Sequence, residues 1–188
     1  MRQPEIATPQ EFFLEKSRLR KHPNFSKIKD KYVDIKVLEQ ETVQKSGRGN
    51  AYKHTKSGYR SDLGIVLRSN WEANFARILS IYKIDFDFEP VVFPFPIKKG
   101  TKAYTPDFYL GKTSEWIELK GYLDDKSKIK LKRFKRYYPE DFENLIFIIS
   151  KYSTEAKKFA NEIEIPRVIY YEDIRSFYSD KIPYWEGK

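Results

Sequence analysis

The chain has 188 residues, 40% hydrophobic and 16% aromatic, enough to build a core that hides about 70% of the unfolded surface without staples. It has no cysteine and only two histidines, His22 and His54, which excludes disulfides, zinc ribbons, thiolate nucleophiles, iron–sulfur clusters and a three-histidine metal site. Thirty-six Lys and Arg against 27 Asp and Glu leave a net charge of +9, which favours a polyanionic partner, nucleic acid or an acidic membrane surface.

Thr8-Pro9-Gln10-Glu11 is a capping box with proline at the first helical position, and Phe12, Phe13, Leu14 and Leu19 follow it until His22-Pro23 ends the helix. Residues 24–44 mix lysines with an alternating stretch, 32–38, that reads as a strand. Residues 45–64 are polar and glycine-rich and carry Lys45, Arg48, Lys53, Lys56 and Arg60 against one acid, Asp62. They read as a basic, flexible connection, dividing the chain into an N-terminal module with linker, 1–64, and a main domain, 65–188. A second capping box, Ser69-Asn70-Trp71-Glu72, opens a helix with Trp71, Phe75, Ile78, Leu79 and Tyr82 at helical spacing. Strand-like runs follow at 85–95, interrupted by Pro90 and Pro94, at 104–110 and at 115–120. Residues 126–138 read as a basic helix closed by Pro139, and 145–150 as an apolar strand buried on both faces. A helix at 153–161, a strand at 167–171 and a last helix at 172–178 complete the chain. This order describes an α/β fold of the α+β kind: a central mixed β-sheet flanked by helices, with a small N-terminal helical and mixed module.

The chemistry is concentrated in one stretch. Residues 111–114, Gly-Lys-Thr-Ser, have hairpin-loop composition, and a loop centred there sets Tyr109 opposite Trp116 and Asp107 opposite Glu118. A cross-strand pair at that register has β-carbons about 5 Å apart. Two carboxylates so close repel unless a cation lies between them or one stays protonated. Alternation puts Trp116, Glu118 and Lys120 on one face and Ile117 and Leu119 in the core, so two acids and a lysine converge on rigid strands. That is how a site for a divalent metal and a water nucleophile is built, and with so few histidines the metal must be a hard ion such as Mg²⁺. The tripeptide pattern alone is unspecific, since Asp34-Ile-Lys36, Asp124-Asp-Lys126, Glu155-Ala-Lys157 and Glu186-Gly-Lys188 also fit it. Glu118-Leu-Lys120 stands apart because it lies on an alternating strand, faces an acid across a hairpin and follows the sole Pro-Asp. The competing structural reading is an ordinary solvated sheet face.

This arrangement resembles the PD-(D/E)xK nuclease superfamily, with Pro106-Asp107 as the PD and Glu118-Leu119-Lys120 as the ExK. Within it the chain looks most like the junction-resolving endonucleases of bacteriophages, through Arg68-Ser69-Asn70-Trp71-Glu72, Tyr104-Thr-Pro-Asp-Phe108 and the closing Lys120-Gly121. The resemblance covers residues 68–150. It implies a restriction-endonuclease-like sheet and a Mg²⁺-dependent endodeoxyribonuclease, with Mn²⁺ able to substitute. It also implies hydrolysis of phosphodiester bonds in branched, Holliday-junction-like DNA to 5′-phosphate and 3′-hydroxyl ends, by a homodimer. Asp107, Glu118 and the Leu119 carbonyl would hold the metal, Glu72 would be a further ligand, and Lys120 would hold or help deprotonate the attacking water. Glu72 also satisfies its capping box without any metal, and Glu89 and Glu115 are reserve acids. His22 and His54 read as surface or phosphate-contacting residues.

The helix at 126–138 carries seven positive charges and no acid, and Leu131, Phe134 and Tyr138 give it an apolar stripe for docking. Lys126, Lys128, Lys130, Lys132, Arg133, Lys135 and Arg136 are therefore expected to face phosphates, together with Arg48, Lys53, Arg60 and Arg68. Such contacts read no sequence, so RNA stays open as a substrate. Two other functions compete: a sequence-specific endonuclease of homing or restriction type with residues 1–60 as a DNA-reading module, and a non-catalytic DNA-binding protein on a degenerate nuclease scaffold. With no apolar run near the ~20 residues that span a bilayer and no signal-peptide h-region, the expected location is the cytoplasm, the host's for a phage-encoded enzyme, with no membrane partner.

Overall fold

A computed structural model of the chain describes residues 57–187, together with 5–6, 8–10, 12 and 33–34. Its centre is a six-stranded mixed sheet in the order β1-β11-β10-β9-β8-β5. These strands are β1 (Glu5–Ile6), β5 (Asp87–Phe88), β8 (Phe108–Leu110), β9 (Glu115–Lys120), β10 (Leu145–Ile149) and β11 (Arg167–Tyr170). The run from β1 through β11 and β10 to β9 is parallel, while β8 is antiparallel to β9 and β5 to β8. A smaller antiparallel sheet joins β2 (Val33–Asp34), β6 (Val91–Pro94) and β7 (Ala103–Tyr104), and β3 (Gly58–Arg60) pairs with β4 (Ile65–Leu67) as a hairpin.

Helices cover both faces. On one side α1 (Asn70–Ile81) and α5 (Tyr171–Tyr178) pack Ala73, Phe75, Ile78, Leu79, Ile174 and Tyr178 onto Phe108, Ile117, Leu119, Ile146 and Ile148. On the other, α2 (Asp125–Tyr137), α3 (Pro139–Phe142) and α4 (Thr154–Glu162) pack Leu131, Phe134, Phe142 and Phe159 onto Tyr109, Trp116, Leu145, Phe147 and Ile149. Every residue of β10 is buried, which explains its unbroken apolar run: it has a parallel neighbour on each edge and helices on each face. The mixed sheet flanked by helices is the architecture expected from the order of elements.

Two expectations are corrected. The strand foreseen at 104–110 is broken, because Pro106 has no N–H for the ladder. Tyr104 pairs with Phe93 in the smaller sheet and Phe108 with Ile117 in the large one, so the three residues between them carry the chain from one sheet to the other. The stretch read as a flexible connection ends, at 58–67, in the β3–β4 hairpin, whose turn needs Gly64 at φ +71°. That hairpin is clamped to the main domain: Arg77 donates to Asp62 at 2.6 Å and pairs with Glu186 at 3.0 Å. The N-terminal segment is likewise built into the domain where it is described. β1 pairs with β11, β2 with β6, and Phe12 is 1% exposed in the core beneath α1. Pro9, Gln10 and Phe12 are helical, and the Phe12 N–H donates to the Thr8 carbonyl, an i to i−4 helical bond; the remainder of that helix and of the strand at 32–38 lies outside the described residues.

Phe108 organises the hairpin that follows Asp107. The rings of Phe75, Phe86 and Phe88 meet it edge-on at centroid distances of 5.3, 5.5 and 5.2 Å. Phe108→Ala is expected to cost about 3–5 kcal/mol in urea denaturation, and Phe108→Leu much less; a loss below about 1 kcal/mol for the alanine would contradict this packing.

Candidate active site

The loop at 111–114 closes β8 onto β9 in the expected register, Tyr109 opposite Trp116 and Phe108 opposite Ile117. Continued by one pair, that register sets Asp107 opposite Glu118. Phe108 and Ile117 belong to the core under α1, so Asp107 and Glu118 share the other face with Tyr109 and Trp116. That face is not solvated. Asp107 is 8% and Glu118 3% exposed, which rules out an ordinary surface pair.

Each carboxylate is held by short, directed bonds. The Leu119 N–H donates to Asp107 Oδ2 at 2.7 Å. The Tyr104 hydroxyl donates to Glu118 Oε2 at 2.9 Å, and the Lys120 ammonium pairs with Glu118 Oε1 at 2.7 Å. Burial, then the charge of Glu118, pushes the Asp107 carboxyl well above its ordinary pKa, against the pull of Lys120. Burial works to lower Lys120, but the carboxylates of Glu118, Asp107 and Glu72 outweigh it and raise its pKa, so the ammonium is charged at neutral pH. Burial, followed by the charges of Glu118 and Asp107, also raises the Tyr104 hydroxyl far above its usual range, keeping it a donor.

Glu72 reaches the same neighbourhood from the start of α1, where the Trp71 ring lies against Gly121 at the end of β9. Both its oxygens are engaged in the cap: Ser69 donates to Oε1 at 2.7 Å and the Arg68 N–H to Oε2 at 2.8 Å. The capping role is therefore filled, while the charge of Glu72 is felt at both Asp107 and Lys120. Of the two reserve acids, Glu89 comes to the site and Glu115 does not. Glu89 sits at φ +45° in the turn between β5 and β6, its N–H donates to the Asp107 carbonyl at 2.8 Å, and its carboxyl is raised by burial and by Glu72 and Glu118. Glu115 lies at the far end of β9, bound to Thr113 and to Arg167 at 3.0 Å.

Tyr104 was not legible as a site residue. In an unbroken strand 104–110, alternation would place it on the face opposite Asp107; the break at Pro106 brings it to Glu118 instead. Among the expected DNA contacts, Arg60 is a correction: it is 8% exposed and forked onto Glu186 at 2.9 and 2.8 Å, a structural clamp with no free donor face. Arg68 is 67% exposed in its side chain and leans on Glu89 at the rim of the site. Three of the seven α2 cations are also diverted, since Lys128, Lys132 and Lys135 pair with Glu155, Glu162 and Glu164. Arg133 donates to the Thr101 carbonyl, Arg136 lies exposed over Tyr137, Lys126 is exposed and Lys130 is half-buried. Arg48, Lys53, His22 and His54 lie outside the described residues.

Among the described residues, no three Asp, Glu or His side chains gather closely enough to enclose a metal ion unaided. The donors nonetheless suit a hard dication: two buried carboxylates, Glu118 on β9 and Asp107 immediately before β8, with Glu72 and Glu89 adding negative charge nearby. Compared with known proteins, the chain matches no family model, no curated protein and no solved structure. Among the described residues, no helix is long and apolar enough to cross a membrane.

A carboxyl whose pKa is raised on folding keeps its proton longer in the native state, so its contribution to stability is lost as pH climbs above the ordinary carboxylate range near about 4. Asp107→Asn is therefore expected to be more stable than wild type in EDTA at pH 7–8, with the gain fading towards pH 4. Thermal melts across that range check it, and a variant less stable than wild type at every pH would show that the charged form is native-favoured.

Proposed function

We propose that the chain is a metal-dependent endodeoxyribonuclease of the PD-(D/E)xK kind, acting on branched DNA of the Holliday-junction type. The observation that supports this most is the burial of Asp107 and Glu118 on one sheet face beside Lys120. Two carboxylates hidden side by side cost folding energy, and a bound dication would offset that cost.

In this reading Asp107, Glu118 and the Leu119 carbonyl hold Mg²⁺, or Mn²⁺ in its place, with Glu72 able to join them. The metal would polarise the scissile phosphate and make a bound water acidic enough to attack. Tyr104 and the Leu119 N–H fix the two carboxylates in place. Lys120, being charged, orients the incoming water and offsets the negative charge growing on the phosphorane oxygens; it is a poor base in this state. Water adds to phosphorus as the bond to the 3′-oxygen breaks, leaving 5′-phosphate and 3′-hydroxyl ends, as the resemblance implies. β1, β2 and Phe12 are part of the main sheets and core, which favours this reading over one where residues 1–60 stand apart as a DNA-reading module.

The test is Mg²⁺-dependent nicking of supercoiled plasmid and cleavage of a four-way junction, mapped at nucleotide resolution beside a linear duplex of the same sequence. Glu118→Gln and Lys120→Ala are each expected to lower the rate by about 10²-fold or more, with binding retained. Turnover that survives both substitutions would end the assignment, and equal cleavage of linear and branched DNA would end its junction component.

A further inference from the structure

The basic helix α2 is divided into two unequal halves. At 100° per residue, Lys128, Lys132 and Lys135 form one stripe and Lys126, Lys130 and Arg133 another, on opposite sides of the buried Leu131–Phe134 seam. The first stripe faces α4 and the turn after it, where Glu155, Glu162 and Glu164 accept its ammoniums at 2.5, 2.7 and 2.9 Å. Its charge is spent on holding two helices together.

The second stripe faces the loop between β6 and β7. Arg133 donates to the Thr101 carbonyl there and its guanidinium lies over Gly100. That loop reads Lys98-Lys99-Gly100-Thr101-Lys102, and its three lysines are exposed. Among the described residues, none of Lys98, Lys99, Lys102, Lys126 and Lys130 forms an ion pair with a carboxylate. The stripe also begins close to the candidate active site in the chain, since α2 starts at Asp125, five residues after Lys120 ends β9. Burial works to raise the Asp124 carboxyl at the N-cap of α2, but bonds from Ser127 and the charges of Lys120 and Lys130 hold it below its ordinary value. Lys120 and Lys130 are thus both within electrostatic reach of one side chain.

We propose that a nucleic-acid backbone lies along a track from Lys120 over Lys126, Lys130 and Arg133 to Lys98, Lys99 and Lys102 in the β6–β7 loop. The α2 part of this track is about 10 Å long, the axial span of roughly three phosphates of one strand. A duplex arm seated on it would lead its backbone directly to Asp107, Glu118 and Lys120. An acidic membrane would take the same charges, but it would not require them to lead to a buried acid–lysine cluster. The choice of DNA as the polyanion rests on the nuclease reading.

The experiment measures binding rather than cleavage, so the two ideas fail separately. Full-length protein is titrated with a 20-bp duplex and with a four-way junction in EDTA at several salt concentrations, by fluorescence anisotropy. Lys98→Ala/Lys99→Ala/Lys102→Ala is expected to flatten the log–log salt slope by about 2–3 and to weaken binding at least tenfold at 0.1 M salt. Replacing the same three by arginine should restore both. Lys126→Ala/Lys130→Ala should flatten the slope by about 2, whereas Lys128→Ala/Lys132→Ala/Lys135→Ala should leave it unchanged. An unaltered slope in the loop variant, an equal loss from the α4-facing stripe, or tighter binding to phosphatidylserine vesicles than to either DNA would overturn the track. Wild-type protein that binds in this pattern but never cuts in Mg²⁺ would keep the track and discard the nuclease.

Discussion

The structure turns on a like-charge pair that the hairpin forces together. With β8 and β9 in register about residues 111–114, Asp107 and Glu118 have no choice but to share a face, and that face is roofed by the smaller sheet and α2. Two ionised carboxylates in such a place repel strongly, and the molecule answers in two ways: it holds the Asp107 carboxyl back from ionising, and it sets the Lys120 ammonium on Glu118. The surrounding features follow from that arrangement. The Pro106 break turns the chain so that Tyr104 donates to Glu118, the strained turn at Glu89 braces the Asp107 carbonyl, and the α1 cap brings Glu72 within range.

The distribution of positive charge has the same logic. Among the described residues, part of the lysine and arginine is consumed in the fold. Arg60 and Arg77 fasten the β3–β4 hairpin and the C-terminal segment through Glu186 and Asp62, and one side of α2 is tied to α4. Among the described residues, part of what forms no ion pair lies on the other side of α2 and in the β6–β7 loop. A net charge alone would not have distinguished these two populations, because the distinction depends on which acids fold into reach.

Much of the fold was readable because its signals are local. Ser69 and Glu72 mark the start of α1 by their own hydrogen bonds, the apolar run 145–149 is as long as a strand buried on both faces, and the loop composition at 111–114 sets the hairpin register. The cluster of Asp107, Glu118 and Lys120 was legible for the same reason, since register and alternation suffice to place it. What was hidden depends on long-range partners. Arg60 looks like a linker cation until Glu186, far along the chain, folds onto it. Tyr104 appears to face away until the strand breaks. Lys98, Lys99 and Lys102 look like any loop lysines until Arg133 docks against Thr101 beside them.

The central claim is that these two buried carboxylates form a cation site, and manganese uptake followed by electron paramagnetic resonance tests it without relying on catalysis. Wild-type protein is expected to take up Mn²⁺ in a form displaced by Mg²⁺, and Asp107→Asn and Glu118→Gln are each expected to abolish it while remaining folded. No uptake by wild type, or uptake indifferent to both substitutions, would mean that Asp107 and Glu118 do not hold a metal ion.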